Sequence, residues 1–214
     1  MTSYNYFPGC SLERNAEAYH KSSMAIAGPL ELEFTEIEDW NCCGSSSTHS
    51  INSELAFHFA CRNLSLAPAG RPLLVACPSC MLRLRQAQLH LQEDAEARRV
   101  YERMWGRPVD SNLTIIHFFE LLGSGFGAAS NPDLKTALNG LRFAAYYGCM
   151  LTRPPAMRHE KQYHGLMEKI LGCFGAEPLV WGHPSRCCGT FLSVAKPAVV
   201  TPMVNQIIQG AVDV

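Results

Sequence analysis

Charge is what this sequence has least of. Asp, Glu, Lys and Arg make up only 17% of its 214 residues, and they nearly cancel, leaving a formal charge of -1. A surface for nucleic acid or anionic lipid needs a surplus of Lys and Arg, so neither is expected as the main partner. Long apolar runs are missing too. Nothing approaches the ~18 residues that would read as a transmembrane span, so no membrane-spanning segment is expected. Residues 1–5 carry no basic region leading into an apolar stretch, which leaves no secretory signal and makes a cytoplasmic protein the expectation. The eight histidines contain no H-x-x-x-H pair. With 47% hydrophobic residues, the chain is an ordinary globular one, large enough for one domain or two of about 100 residues.

Cysteine is abundant. Ten cysteines in clustered spacings, in a reducing compartment, point to metal or redox chemistry more than to a disulfide scaffold. The densest group is Trp40-Asn41-Cys42-Cys43-Gly44, echoed by Ser185-Arg186-Cys187-Cys188-Gly189. Neighbouring side chains diverge, so two adjacent cysteines serve one site only where the backbone turns sharply. The glycine that follows permits that turn, because positive φ costs it nothing.

The surrounding pattern reads as α/β. Residues 3–7 form an aromatic strand stopped by Pro8-Gly9, and residues 13–27 a helix ended by Gly28-Pro29. Residues 32–40 read as a strand. A helix over 51–67 places Leu55, Phe59 and Leu66 on one side, and residues 73–76 form a buried parallel-type strand. A single long helix is expected over 81–104, carrying Leu82, Leu89 and Val100 on its apolar face. Residues 114–122 read as a strand entering a helix, and 123–132 as a linker. Then come a strand over 141–147, a helix over 158–174 and a strand over 179–181. Strands feeding helices in this order imply small parallel sheets flanked by helices, with ligands beyond the strand carboxyl ends, where the cysteines fall.

The second half restarts the first. Cys10 and Cys149 are 139 positions apart, and Cys42 and Cys187 are 145 apart, with similar elements around each. Two repeats are therefore expected, over 1–131 and 132–214. In the first, 31 residues separate Cys10 from Cys42 and 33 separate Cys43 from Cys77, with Cys80 following. A zinc site takes four sulfurs, as does an ordinary iron–sulfur cubane. Five cysteines favour an enlarged or unusual cluster, with zinc as the alternative.

These spacings, together with Phe7-Pro8-Gly9-Cys10, Arg62-Asn63-Leu64, Cys77-Pro78-Ser79-Cys80 and the stretch from Tyr146 to Pro155, resemble the CCG cysteine-rich domain of the heterodisulfide reductase B subunit. The resemblance implies a noncubane 4Fe-4S cluster in each domain and a disulfide, CoM-S-S-CoB or an analogue, reduced between them. It implies an iron–sulfur electron-transfer partner resembling the C subunit of those enzymes, fed by a flavin protein resembling their A subunit. Carried over, Cys10, Cys42, Cys43, Cys77 and Cys80 are the first ligand set and the catalytic centre. Cys149, Cys187 and Cys188 belong to a second, partial set. Its final C-x-x-C should begin about 34 residues after Cys188, where only 26 residues remain, so the second repeat reads as truncated. Related domains relay electrons in organic-acid and quinone-linked dehydrogenases, which is the alternative function; a zinc-binding structural module is a third.

Other residues have simpler readings. Cys61 and Cys173 are expected to pack as small hydrophobes. Trp40 and Trp181 are expected in the core, and most histidines on the surface or in structural roles. His183, four residues before Cys187, is placed to donate a proton near the second set. Ser45, Ser46, Ser47 and Thr48 either donate to cluster sulfurs or cap the next helix. Arg153 and Arg186 either bind an anionic substrate or form ion pairs.

Overall fold

The computed structural model describes residues 2–45, 47–126, 137–154, 163–193 and 195–214. It divides into two compact units, residues 1–118 and 119–214. The expected boundary at 131/132 lies outside the described residues.

The first unit is a four-stranded parallel sheet with helices packed around it. In chain order it has β1 (Thr2–Phe7), α1 (Glu17–Ala25), β2 (Leu32–Glu36), α2 (Ser47–Ile51), α3 (Ser53–Leu66), β3 (Leu73–Val75), α4 (Pro78–Glu93), α5 (Ala95–Trp105) and β4 (Ile115–His117). The strands lie in the order β2-β1-β3-β4, all parallel. Leu73, Leu74 and Val75 are fully buried, as expected of a central strand covered on both faces. The strand order reverses direction between β1 and β3, and parallel sheets bind ligands at such a switch point, outside the carboxyl ends. Cys10 follows β1 and Cys77 follows β3.

Several expectations change in contact with the structure. The helix expected from residue 13 begins at Glu17, because Leu12, Arg14 and Ala16 donate their backbone N–H groups back to Gly9 or Ser11 in a run of turns. The strand expected to reach Trp40 ends at Glu36, and the chain turns at Asp39, which has φ +56°. On α3 the buried face is Ala56, Ala60, Asn63 and Leu64, whereas Leu55 is exposed and Phe59 and Leu66 are half-buried. Ala56 faces inward there because the Gly44 turn lies against it: a Cβ on Gly44 would stand 2.7 Å from the Ala56 backbone. The long helix over 81–104 is two helices. Asp94 breaks it and caps α5, its Oδ1 accepting from the N–H groups of Glu96 and Ala97. Val100 is exposed.

Among the described residues the second unit has less regular structure. Helix α6 (Phe118–Phe126) leads in from β4 and takes up the start of the expected linker. A two-stranded parallel sheet pairs β5 (Arg142–Phe143) with β6 (Glu177–Pro178). The second of these comes earlier than the strand expected over 179–181; Leu179 donates to Phe143 as the pairing ends, and Val180 is exposed. The described residues continue through α7 (Gly148–Thr152), a helix over Leu166–Gly172, a 3-10 turn over Thr190–Leu192 and a helix over Pro197–Val212. The first part of the helix expected over 158–174, with His159, and the residues Ser46 and Pro155 lie outside the described residues. Among the described residues no helix is long and apolar enough to cross a membrane.

Candidate metal centre

Cys10 sits on the turn after β1, made possible by Gly9 at φ +75°. That glycine is also required sterically, since a Cβ there would lie 2.9 Å from the Cys80 sulfur. Cys77 is the residue before α4, Pro78 opens the helix and Cys80 lies in its first turn. The position suits thiolates, because unpaired N–H groups and the helix dipole favour negative charge.

Cys42 and Cys43 follow a loop that neighbouring residues hold in place. Asn41 and Asn63 exchange hydrogen bonds: the Asn41 N–H donates to Asn63 Oδ1 at 3.0 Å, and Asn63 Nδ2 donates to the Asn41 carbonyl at 2.8 Å. Arg62 donates to the Asp39 carbonyl at 2.7 Å and to Asn41 Oδ1 at 2.9 Å, and pairs with the Asp39 carboxylate at 2.5 Å. The Arg62-Asn63 pair of α3 thus fixes the approach to the two cysteines. Gly44, at φ +77°, makes the turn that brings Cys43 inward.

The five cysteines expected in the first set come together as a connected run. Cys10 and Cys42 have sulfurs 3.8 Å apart, and those of Cys43 and Cys80 are 3.1 Å apart. Cys42 is in hydrogen-bond contact with Cys43, and Cys77 with Cys80. Exposure falls from exposed Cys10 through half-buried Cys42 to buried Cys43 and Cys80, and Cys77, beside Cys80, is half-buried. Among the described residues no three His, Cys, Asp or Glu side chains surround a single ion position.

The electrostatics divide the thiols. Hydrogen bonds from Cys42 and Cys80 lower Cys43 to about 4, helped by the Ser45 N–H and the nearby Arg83 guanidinium. Cys77 falls to about 7 through its contact with Cys80 and the backbone N–H groups of Cys80 and Ser79. Donating to these neighbours, and burial, push Cys42 and Cys80 up. Negative charge therefore collects on Cys43 and, to a lesser degree, on Cys77. The outer pair, Cys10 and Cys42, opens onto a cleft of about 640 Å³ bordered by Trp40 and Arg14. Four carboxylates also line it: Glu13, Glu36, Glu38 and Asp39.

In the second unit Cys149 lies in α7, and burial and contact with Cys187 raise it. Cys188 touches the Tyr146 hydroxyl, which donates to the Arg186 carbonyl at 2.6 Å. Gly189 donates its N–H to the Cys187 sulfur at 3.4 Å. The three expected cysteines are again neighbours.

The remaining candidates separate. Cys61 is fully buried, and burial pushes its thiol up to about 12, the behaviour of an inert core residue. Cys173 is exposed, contrary to expectation, because it follows the last turn of the helix over Leu166–Gly172. Trp40 and Trp181 are half-buried instead of in the core; Trp40 stands edge-on to Phe7 at 5.3 Å and donates to Glu36 at 2.7 Å. His183 packs against Trp181 and Gly210. Arg153 donates to the Ser185 carbonyl at 3.0 Å and Arg186 to Gln206. Sequence reasoning named Asn41 and Asn63 within motifs but gave them no role, and did not single out Arg83; only folding brings Asn63 and Arg83 to the cysteines.

A parallel α/β unit with thiols gathered at the carboxyl ends of its strands defines a cysteine-rich redox-type domain. Residues 4–85 match the CCG cysteine-rich domain family, and most of the chain is similar to heterodisulfide reductase B subunits. It is 27% identical over 216 residues to the 8-methylmenaquinol:fumarate reductase membrane anchor subunit of Wolinella succinogenes, covering 97% of this chain and 74% of that one. It is 22% identical over 196 residues to the B subunit of the ferredoxin/F(420)H(2)-dependent CoB-CoM heterodisulfide reductase of Methanosarcina acetivorans, covering 88% of this chain and 65% of that one. A protein of Archaeoglobus profundus described as like the heterodisulfide reductase B subunit is 25% identical over 199 residues, covering 88% and 67%. The chain thus spans about two thirds to three quarters of the length of these relatives. A hypothetical protein from Helicobacter pylori has the same fold, with a TM-score of 0.75 at 12% identity over 99% of this chain and 39% of that one.

Proposed function

We infer that the chain is an iron–sulfur redox subunit of an oxidoreductase complex, and propose that Cys10, Cys42, Cys43, Cys77 and Cys80 hold a noncubane 4Fe-4S cluster at which a disulfide is reduced. The carrying observation is the run of contacting sulfurs at the β1/β3 switch point, from exposed Cys10 through Cys42 to buried Cys43 and Cys80, with Cys77 beside Cys80. Five donors in successive contact, with no three around a single ion position among the described residues, suit a group of several irons better than one tetrahedral zinc ion, which needs four around a point. The gap left by Gly9 beside Cys80 and the negative charge gathered on Cys43 fit the same reading.

When bound, the cluster supplies one-electron steps. Reducing a disulfide takes two electrons and two protons and yields two thiols; the electrons would arrive singly from a partner subunit with conventional clusters, fed in turn by a flavin subunit. The chain itself contributes an entry at Cys10 and Cys42 and a dry interior at Cys43 and Cys80. Cys149, Cys187 and Cys188 would hold a second, partial centre. Matching backbone turns support the two-repeat reading: φ is +75° at Gly9 and +72° at Gly148, and +77° at Gly44 and +74° at Gly189. A cytoplasmic location for the complex goes with this reading.

A second reading, electron relay in a quinone-linked or organic-acid dehydrogenase, is favoured by two observations. One is the similarity to the Wolinella fumarate reductase subunit over nearly the whole chain. The other is the cleft, whose four carboxylates and one guanidinium oppose an anionic disulfide.

Purification of the native complex with metal analysis and electron paramagnetic resonance tests both. Disulfide reduction expects iron and a signal altered by the product thiol. Relay expects iron, reduction by a quinol and no response to thiol. Zinc without iron would overturn both.

A further inference from the structure

Two side-chain donors beside the inner thiols are buried and make no hydrogen bond among the described residues: the hydroxyl of Ser45 and Nε of Arg83. Ser45 is 4% exposed and lies two residues after Cys43, to whose sulfur its own N–H donates. Arg83 is half-buried on α4, one turn after Cys80, and its charge acts on Cys43. Its Nη1 reaches Gln86 at 3.3 Å, whereas Nε is left over. A buried donor without an acceptor is costly, because it has given up its bonds to water. Two of them around the deepest thiol pair therefore call for an acceptor. The sulfurs of an iron–sulfur group are acceptors of the right kind, and hydrogen bonds to them tune its potential.

We propose that Ser45 and Arg83 are positioning residues of the metal centre, donating hydrogen bonds from Ser45 Oγ and Arg83 Nε to its sulfurs and thereby raising its reduction potential. The proposal rests on the iron–sulfur reading above. Its physical basis is that the added electron makes the sulfurs more negative, so both donors bind the reduced form more strongly. In a site sealed from water that difference is poorly screened. Neither residue touches substrate at the cleft, since the cleft is lined from the side of Cys10 and Cys42. Ser45 would thus leave the helix-capping role that its sequence position also allows.

The test is a redox titration of the iron-loaded full chain, followed by electron paramagnetic resonance, for wild type, Ser45→Ala, Ser45→Thr and Arg83→Lys. Ser45→Ala is expected to lower the midpoint by an amount equal to about a tenfold less favourable one-electron reduction, about 59 mV. Ser45→Thr keeps the hydroxyl and should stay near wild type. Arg83→Lys keeps the charge but loses Nε–H, and should also shift downward. Wild-type midpoints in both Ser45→Ala and Arg83→Lys overturn the proposal, even if Ser45→Ala lowers thermal stability as a lost cap would. If Ser45→Ala does not fold, Arg83→Lys carries the test alone. A wild-type chain that takes up no iron refutes the iron–sulfur reading itself, and this outcome is seen before any variant is titrated.

Discussion

The sulfurs of Cys43 and Cys80 stand 3.1 Å apart although 36 residues separate them, and Gly9 makes room for the contact by having no Cβ. The pair is the most deeply buried part of the five-thiol run. Its consequences can be measured one at a time.

Removing an inner sulfur should remove the metal. Cys43→Ala is expected to lose the iron of the first unit, whereas Cys61→Ala, a change at a buried thiol outside the run, should retain it and cost about 1 kcal/mol of stability. Iron per protein and thermal unfolding check the two halves; full iron in Cys43→Ala would refute the ligand assignment.

The turn glycines should differ in cost. At Gly44, φ +77° and a Cβ 2.7 Å from the Ala56 backbone combine strain with overpacking, so Gly44→Ala should destabilise by about 2–4 kcal/mol. Gly70 has φ +83° but nothing within 4 Å of a Cβ, and Gly70→Ala should cost about 1 kcal/mol. Equal losses in denaturant unfolding would mean that the close approach to α3 is not the cause.

Thiol labelling of the metal-free protein should follow access. Cys10, Cys173 and Cys187 are exposed and should react with iodoacetamide first, with Cys43, Cys61 and Cys80 protected until denaturant is added. Cys43 is the sharp case. Its thiol is lowered to about 4, so it is ionised at neutral pH, yet it is 3% exposed. Peptide mass spectrometry that found Cys43 labelled before Cys10 would contradict the buried placement.

The metal-free protein should weaken in acid through His117. Burial lowers its pKa from 6.5 to about 3, so the unfolded chain binds the proton more readily between those values. Stability is then fully present above about 6.5 and falls as pH drops toward 3, by up to about 1.4 kcal/mol per pH unit. In His117→Gln that share of the slope should vanish from urea unfolding followed across this range.

Much of the centre was legible from the chain. Cys10, Cys42, Cys43, Cys77 and Cys80 could be grouped because each comes after a strand or turn signal, and parallel strands deliver the residues beyond their carboxyl ends to one edge. The helix over 81–104 misled because a polar residue inside an apolar period looks continuous; Asp94 stops it through cap hydrogen bonds that periodicity does not encode. The apolar side of α3 misled for a different reason. Leu55 and Leu66 are the larger hydrophobes, but the neighbour across the interface is a glycine turn that leaves room only for the small side chain of Ala56.

By itself, the sequence determined the chemistry and the turning points: which residues can bind metal, and where glycine allows positive φ. Both are properties of single residues and their immediate neighbours. Tertiary structure alone decided the depth of each thiol, the locking of the Cys42 loop by Arg62 and Asn63, and the placement of Ser45 and Arg83 beside Cys43. Those depend on which distant segments pack together, and burial and charge at a sulfur are set by everything that surrounds it.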